Sequence, residues 1–281
     1  MIGGIDALAG GHGNDGFFFG ADNNLTASDR IDGGAGTDTI ALRGDHSGAN
    51  AIAFDPASFT GVEILTFLSS HSNEYGGQIL PVGFDYDVTL ADANLAPGAS
   101  LDVIAGNLRS DETFRFDGRA ETNGSLRIIS GAGDDILFGG SGGDTLYGGL
   151  GADRLEGGAG GDIYFYRSVA ESTSTGYDSL VGFDALEDRI DVPGGGSRAV
   201  THSATGSLSA ASFDQDLAAG MDGVLGAGQA ALFTASSGSL AGHVFAVVDA
   251  NGVAGYQPGE DFVFDMIDPV RPLDTGAAFI G

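Results

Sequence analysis

Cysteine is absent from the 281 residues, so neither a disulfide nor a thiolate metal site can staple this chain, and any cross-link has to come from a metal held by other ligands. Positive charge is scarce. Eleven Lys+Arg residues stand against 39 Asp+Glu, for a formal net charge of -28 and a pI near 4.1. That balance argues against nucleic acid or an anionic membrane surface as a partner. No apolar run approaches the roughly 20 residues of a membrane-spanning helix, so membrane insertion is not expected. The opening MIGGIDALAGG has neither the basic stretch nor the continuous apolar stretch of a cleaved export signal. Glutamate is also rare: it accounts for eight of the acidic residues, leaving 31 aspartates. Short carboxylates of that kind suit turns better than a solvated helical face.

Glycine, by contrast, occurs 50 times without a G-X-Y period, which excludes a collagen helix, and a 42% hydrophobic content excludes simple disorder. The glycines concentrate in Ser130 to Phe165, which reads SGAGDDILF, GGSGGDTLY, GGLGADRLE, GGAGGDIYF. These are four consecutive nonapeptides of the form G-G-x-G-x-D-x-U-x, with U a large apolar residue. Asp135, Asp144, Asp153 and Asp162 recur every nine residues, as do Leu137, Leu146, Leu155 and Tyr164. The Gly-rich half lets the backbone take left-handed turns and aim several carbonyls at one point. The other half makes a very short strand with its apolar side chain inward. Two nonapeptides therefore form one 18-residue coil, and stacking coils aligns each aspartate with the one eighteen residues later. Opposed carboxylates beside carbonyls call for a hard, oxygen-seeking cation such as Ca²⁺; Zn²⁺ would want the His or Cys that these turns lack.

A looser set of repeats precedes this block. GGHGNDGFF (10 to 18) and GGAGTDTIA (33 to 41) fit the pattern, while GIDALA and SDRID keep only the aspartate and the apolar residue. Asp6 and Asp15 are nine apart, as are Asp29 and Asp38, and the second pair follows the first by one coil plus five residues. A five-residue bulge near Gly20 to Asn24 would then place Asp6 opposite Asp29 and Asp15 opposite Asp38; isolated Gly-Asp turns are the alternative. Residues 42 to 129 lose the nonapeptide but keep strand-like runs at 51–54, 62–68, 86–92, 100–106, 113–118 and 125–130. Because they lead straight into the repeats, a parallel β-solenoid with longer, calcium-free coils is expected, with an antiparallel sandwich as the competitor. After Tyr166 the stretch 177–192 predicts two short strands, 209–221 a helix, and 243–252 with 261–267 a pair of strands around a turn.

The tandem block resembles the RTX calcium-binding proteins. The stretch after it resembles the C-terminal domain of serralysin-type metalloproteases, on the aromatic strand IYFY (163–166), the acidic loop Glu171 to Asp178, the segment Asp178-Ser-Leu-Val-Gly-Phe183, and Asp188-Arg-Ile-Asp191. The middle is similar to linking coils of secreted calcium-binding and surface-layer proteins. The resemblance implies an all-β fold: a parallel β-roll or β-solenoid stacked on bound calcium, with a small, mostly-β C-terminal domain carrying one or two short helices. The implied divisions are 1–42 (N-terminal RTX coils), 43–129 (calcium-poor solenoid), 130–166 (tandem β-roll) and 167–281 (secretion and capping domain).

In that family a calcium lies between coils, held by carbonyls at positions two and four and the aspartate of one turn, and by carbonyls at positions one and three and the aspartate two repeats on. Carried over, one site is Gly131, Gly133 and Asp135 with Gly148, Leu150 and Asp153. The next is Gly140, Gly142 and Asp144 with Gly157, Ala159 and Asp162. The N-terminal counterpart is Gly11, Gly13 and Asp15 with Gly33, Ala35 and Asp38, beside the Asp6 and Asp29 pair. The family's closing acidic pair would fall on Glu171 and Asp178. The resemblance further implies a secreted, extracellular or surface-associated protein, export by type I secretion machinery, and self-assembly or a cell-surface glycan as further partners. A structural, non-enzymatic role is the leading expectation; the export and folding module of a larger hydrolase or adhesin is the alternative.

Catalytic patterns are thin. There is no H-E-x-x-H, and His12, His46, His71, His202 and His243 are scattered. Gly139 to Gly143 matches the G-x-S-x-G expression around Ser141 but lies inside a repeat. Gly11 to Gly16 matches G-x-G-x-x-G with no helix able to follow. Asp249, Asn251 and Glu260 have an EF-hand-like spacing, yet Val253 and Ala254 stand where a polar residue and glycine are wanted, so a hairpin turn is the expected reading.

Overall fold

The computed structural model describes residues 6–20, 25–26, 28–73, 79–80, 82–194, 200–273 and 281. The expected bulge lies outside them from Ala21 onward. The chain divides into two compact units, one made of 1–149 and 158–160, the other of 150–157 and 161–281.

Among the described residues the first unit runs through thirteen short strands: β1 (Ala7–His12), β2 (Gly16–Phe19), β3 (Arg30–Ala35), β4 (Thr39–Leu42), β5 (Ile52–Ala53), β6 (Phe59–Thr60), β7 (Ile64–Phe67), β8 (Tyr86–Thr89), β9 (Ser100–Ile104), β10 (Phe114–Asp117), β11 (Ser125–Ile129), β12 (Ile136–Phe138) and β13 (Thr145–Tyr147). All six strand-like runs of the middle region are strands. Three ladders result, β1-β3-β6, β5-β8-β10-β12 and β2-β4-β7-β9-β11-β13, and every strand pair in them is parallel. The competing sandwich needs antiparallel neighbours, and none occurs among these described pairs.

The registers explain how unequal segments share one core. Ile40, Leu65, Val103, Ile128 and Leu146 are partners in sequence down one ladder, and all five are fully buried. The steps along this column are unequal: Leu65 to Val103 is the longest, Ile40 to Leu65 and Val103 to Ile128 match each other, and Ile128 to Leu146 is the shortest. Only the last step is the repeat length. Ile52, Val88, Phe116 and Leu137 form the matching column of the second ladder. The period-two pattern puts these side chains inward, and the longer returns bulge outside the strands. Rings bridge the two ladders: Phe67 packs on Phe114 and Tyr86 at centroid distances of 4.9 and 5.2 Å. The Tyr86 hydroxyl donates to the Leu68 carbonyl at 2.7 Å, which satisfies its polar end inside the core.

The second unit holds β14 (Arg154–Glu156), β15 (Ile163–Phe165), β16 (Asp178–Val181), β17 (Arg189–Asp191), β18 (Val200–Ser207), the helix α1 (Phe213–Met221), β19 (Ala230–Ser237), β20 (Val244–Val248) and β21 (Phe262–Ile267). β15 pairs with β17, and β14 with β16 and then β21, in parallel; β19, β20 and β21 are antiparallel neighbours. The predicted helix is present. It buries Phe213, Leu217 and Met221, spaced four apart on one face, against Phe233, Phe245 and Val263. Among the described residues no helix is long and apolar enough to cross a membrane.

Candidate metal centre

The repeat turns are shaped by glycine where a side chain cannot fit. In the N-terminal repeats Gly11, Gly13, Gly34 and Gly36 take positive φ of 100°, 109°, 97° and 148°, so positions two and four are left-handed in both turns. The first glycine of each repeat is constrained differently, by space. A Cβ on Gly10 would lie 2.5 Å from the Gly33 carbonyl oxygen and 2.6 Å from Asp15 Oδ2. A Cβ on Gly33 would overlap the Gly61 carbonyl and lie 2.7 Å from Asp38 Oδ2. A carboxylate oxygen of one turn and a carbonyl oxygen of the next therefore converge beside each of these glycines.

The aspartates stack as their offset in the sequence requires. The Asp6 amide donates to Asp29 Oδ1 at 2.9 Å, and the Asp15 amide to Asp38 Oδ1 at 2.7 Å. The two pairs differ in what else they hold. Asp29 Oδ2 accepts from the amide and hydroxyl of Thr26 at 2.7 and 3.1 Å. By contrast, Asp15 Oδ2 and Asp38 Oδ2 are buried and accept no hydrogen bond. A buried, bare carboxylate oxygen is costly unless it is protonated or meets a cation. Facing a carbonyl across a glycine, it fits a hard cation. Ala35, assigned to this site by resemblance, already accepts from the Gly13 amide at 2.8 Å.

The contact of a neighbouring coil's amide with Oδ1 recurs in the tandem block, where Oδ2 of Asp135 and of Asp144 is hydrogen-bonded as well. Asp135 Oδ1 accepts the Phe114 amide at 2.7 Å, and its Oδ2 takes the Ser130 hydroxyl and the Gly131 amide. Asp144 accepts from Leu126 at 2.7 Å and Gly140 at 2.6 Å. Burial pushes both carboxyls up to about 6 against the relief those donors provide, and the Glu121 carboxylate adds to the push on Asp144. Gly133 and Gly142 have no room for a Cβ over the carbonyls of Glu112 and Gly124; nor do Gly149, Gly158 and Gly160 over those of Gly131, Gly140 and Gly142. The Gly140 carbonyl accepts the Ala159 amide at 3.1 Å. In the second unit a Cβ on Gly157 would fall on the Asp162 carboxylate, and Leu150 turns its side chain out, 48% exposed.

The acids that follow the repeats sort themselves by register. Asp178 Oδ1 accepts the Asp153 amide at 2.9 Å, and its Oδ2 the Tyr166 hydroxyl at 2.8 Å. Glu171 accepts the Arg167 amide at 2.7 Å, four residues before it in its own turn. The partner of Asp162 is Asp188, whose Oδ1 accepts the Asp162 amide at 3.0 Å. Asp188 lies outside the ligand set that the resemblance implies. Its signal was in the sequence all the same: Asp188-Arg-Ile-Asp191 repeats Asp29-Arg-Ile-Asp32 letter for letter.

Two further acidic groupings lie in the second unit. Asp249 takes the amides of Gly228 and Gly252, and Asn251 donates to Glu260 at 2.7 Å, in a loop joining the antiparallel β20 and β21 with no flanking helix. His243 Nδ1 lies 2.8 Å from Asp265 Oδ2 beside a cavity of about 280 Å³, whose other lining residues (Ala241, Gly242, Met266, Ile267, Asp268) bring no hydroxyl or thiol. Among the described residues no three His, Cys, Asp or Glu side chains gather closely enough to hold a metal by side chains alone. A cation in these turns must draw much of its shell from the backbone, as Ca²⁺ does readily.

Comparison with known proteins agrees with this chemistry over part of the chain. A model of the RTX calcium-binding nonapeptide repeat, in four copies, matches residues 26–46 and 129–164. The matched stretches contain Asp29, Asp38 and the four tandem aspartates. None of the curated proteins matches the chain.

Proposed function

We propose that this chain is a secreted, calcium-binding RTX-type protein with a structural or surface role and no enzymatic activity, in which the parallel ladders form a β-solenoid and calcium lies between its stacked glycine turns. The observation that carries this reading is the pair of buried, bare oxygens on Asp15 and Asp38, each facing a carbonyl across a glycine that admits no side chain. Bound calcium would supply the positive charge that lets several such oxygens share one small space. The chain's own residues do the rest. Glycines at positions two and four turn the carbonyls inward, the aspartates bring the charge and hold the neighbouring coil through its amides, and the apolar column keeps the coils in register.

The energetics favour a calcium-gated fold. At about millimolar calcium and a Kd near 10⁻⁴ M each site contributes roughly RT ln 11, about 1.4 kcal/mol. Four sites give about 6 kcal/mol, on the scale of a whole domain's net stability of about 5–15 kcal/mol. At submicromolar calcium that contribution vanishes and the acidic turns repel, which suits passage through type I export machinery in a loose state and folding outside. Circular dichroism with calcium and with chelator tests it: β content and melting temperature should both rise with calcium, and identical curves would sink the reading.

The segments 163–166, 171–178 and 178–191 support a serralysin-like role for residues 167–281 in secretion and capping. They also support a second reading, in which this chain is the export and folding module of a larger hydrolase or adhesin. A surface or matrix role predicts calcium-dependent sheets or filaments in electron micrographs, through self-assembly or a surface glycan; the export-module reading predicts monodisperse particles.

A further inference from the structure

The nonapeptide pattern stops at Ala41, and the next turn of the first unit, Phe59 to Glu63, has no G-G-x-G-x-D. It nevertheless lies directly over the repeat turn before it. β6 pairs with β3 through Phe59 on Ile31, and β7 pairs with β4 through Ile64 on Thr39. Between those paired positions the upper turn, Phe59 to Ile64, is three residues shorter than the turn it covers, Ile31 to Thr39. Glu63 falls in register with Asp38, and the Asp38 amide donates to Glu63 Oε2 at 2.8 Å. That bond matches the one from the Asp15 amide to Asp38 Oδ1 at 2.7 Å. Glutamate, one methylene longer than aspartate, makes this contact from a turn three residues shorter.

Asp38 is fully buried, and its two oxygens face different neighbours. Oδ1 is engaged by Asp15, while Oδ2 accepts no hydrogen bond. The place where Gly33 has no Cβ lies 2.7 Å from this Oδ2 and is overlapped by the Gly61 carbonyl, so the bare oxygen points toward the Phe59–Glu63 turn. On the paired strands β3 and β6, Arg30 bonds Asp55 and the Asp29 carbonyl, and the Thr60 hydroxyl bonds Asp32.

We propose that Asp38 Oδ2, the Gly61 carbonyl and the Glu63 carboxylate form a further site for a hard divalent cation of the calcium class, one that uses a glutamate in a turn outside the nonapeptide pattern. It rests on the reading that the repeats bind calcium, and it extends the acidic column Asp15, Asp38 beyond the matched stretch that ends at residue 46. Longer calcium-poor coils begin only above it.

The test is calcium stoichiometry and affinity of the full chain by isothermal titration calorimetry and equilibrium dialysis, for wild type, Glu63→Gln and Glu63→Asp. Glu63→Gln keeps an oxygen for the Asp38 amide and so keeps the turn, but removes the charge; it should bind one calcium fewer than wild type. Glu63→Asp keeps the charge but loses the reach, and should weaken one site by about tenfold or more. Wild-type stoichiometry and affinities in the Gln variant overturn this site alone, since the repeats would still be binding. Loss of several ions at once in both variants also overturns it, because the effect would then be on folding. A wild-type chain that takes up no calcium overturns the underlying reading together with this one.

Discussion

Replacing Gly33 by alanine should destabilise the first unit, while replacing Gly16 by alanine should not, although both glycines lie in strands of the same acidic repeats. Neither has a positive φ, so neither substitution strains the backbone, and both reduce the freedom of the unfolded chain by about 0.4–1 kcal/mol in favour of folding. The surroundings decide the sign. Around a Cβ on Gly16 nothing lies within 4 Å. A Cβ on Gly33 would overlap the Gly61 carbonyl and stand 2.7 and 2.8 Å from Asp38 Oδ2 and Cβ. The Gly61 carbonyl belongs to the backbone and the Asp38 carboxylate is short and buried, so a flexible side-chain end cannot absorb the clash. Forcing a methyl into a packed site costs about 1–3 kcal/mol, leaving a net loss of about 1–2 kcal/mol for Gly33→Ala. At roughly 2–4 °C per kcal/mol for a unit of this size, that is a melting point lower by a few degrees. Gly16→Ala should be neutral or stabilise by up to about 1 kcal/mol. Urea unfolding at saturating calcium measures both, with equal m values confirming that only stability changed. The Gly33→Ala deficit should also shrink in chelator, because the methyl occupies the space where Asp38 Oδ2 and the Gly61 carbonyl meet. Equal shifts of the same sign in the two variants would refute the argument that glycine is required there by contact with the next turn.

Asp188→Ala should cost about 1–3 kcal/mol by stranding the amides of Asp162 and Asp184 that its carboxylate accepts, and it should lower calcium affinity. Glu171→Ala should loosen only the turn at Val169–Glu171 and leave calcium affinity unchanged; titration calorimetry of the two variants decides, and the reverse ranking would mean that Glu171 closes the column. The buried Asp261 is pushed up to about 6, first by burial and further by the Asp249 carboxyl beside it, against the help of the Gln257 and Ala250 amides. Its folded pKa lies above the unfolded value near 3.9, so its proton favours the folded state, and this contribution is lost as pH rises from about 4 through about 6. Melting in chelator should therefore fall between pH 5 and pH 8 more steeply for wild type than for Asp261→Asn; parallel slopes would show that Asp261 titrates normally.

Much of this architecture could be read from residue order because the repeats carry their own ruler. The nine-residue beat of Asp135 to Asp162 implied a return after two repeats, and Ile128 meets Leu146 at that spacing. The offset of the N-terminal aspartates, Asp15 to Asp38, likewise reappears as the pairing of Phe17 with Ile40. The helix was legible from one apolar face, Phe213, Leu217 and Met221. Two acids were not. Glu63 sits two residues after Gly61, whereas the acid of a repeat stands five after its first glycine, so no template contains it. Asp188, whose carboxylate meets the Asp162 amide, lies well beyond one coil from Asp162, so the repeat length does not point to it.

Spacing and composition alone determined that the chain would build parallel, glycine-turned rungs carrying aspartate, because a strict period forces identical local geometry on each repeat. Which acid meets which bare oxygen was decided only by the tertiary register. Returns of unequal length, from Ile40 to Leu65, from Ile31 to Phe59 and from Leu65 to Val103, bring strands into contact through the burial of their apolar partners, and no period in the connecting segments records those lengths. An inward apolar residue can align with its column after an excursion of any length, and the carboxylate at the strand's start is carried to its partner with it.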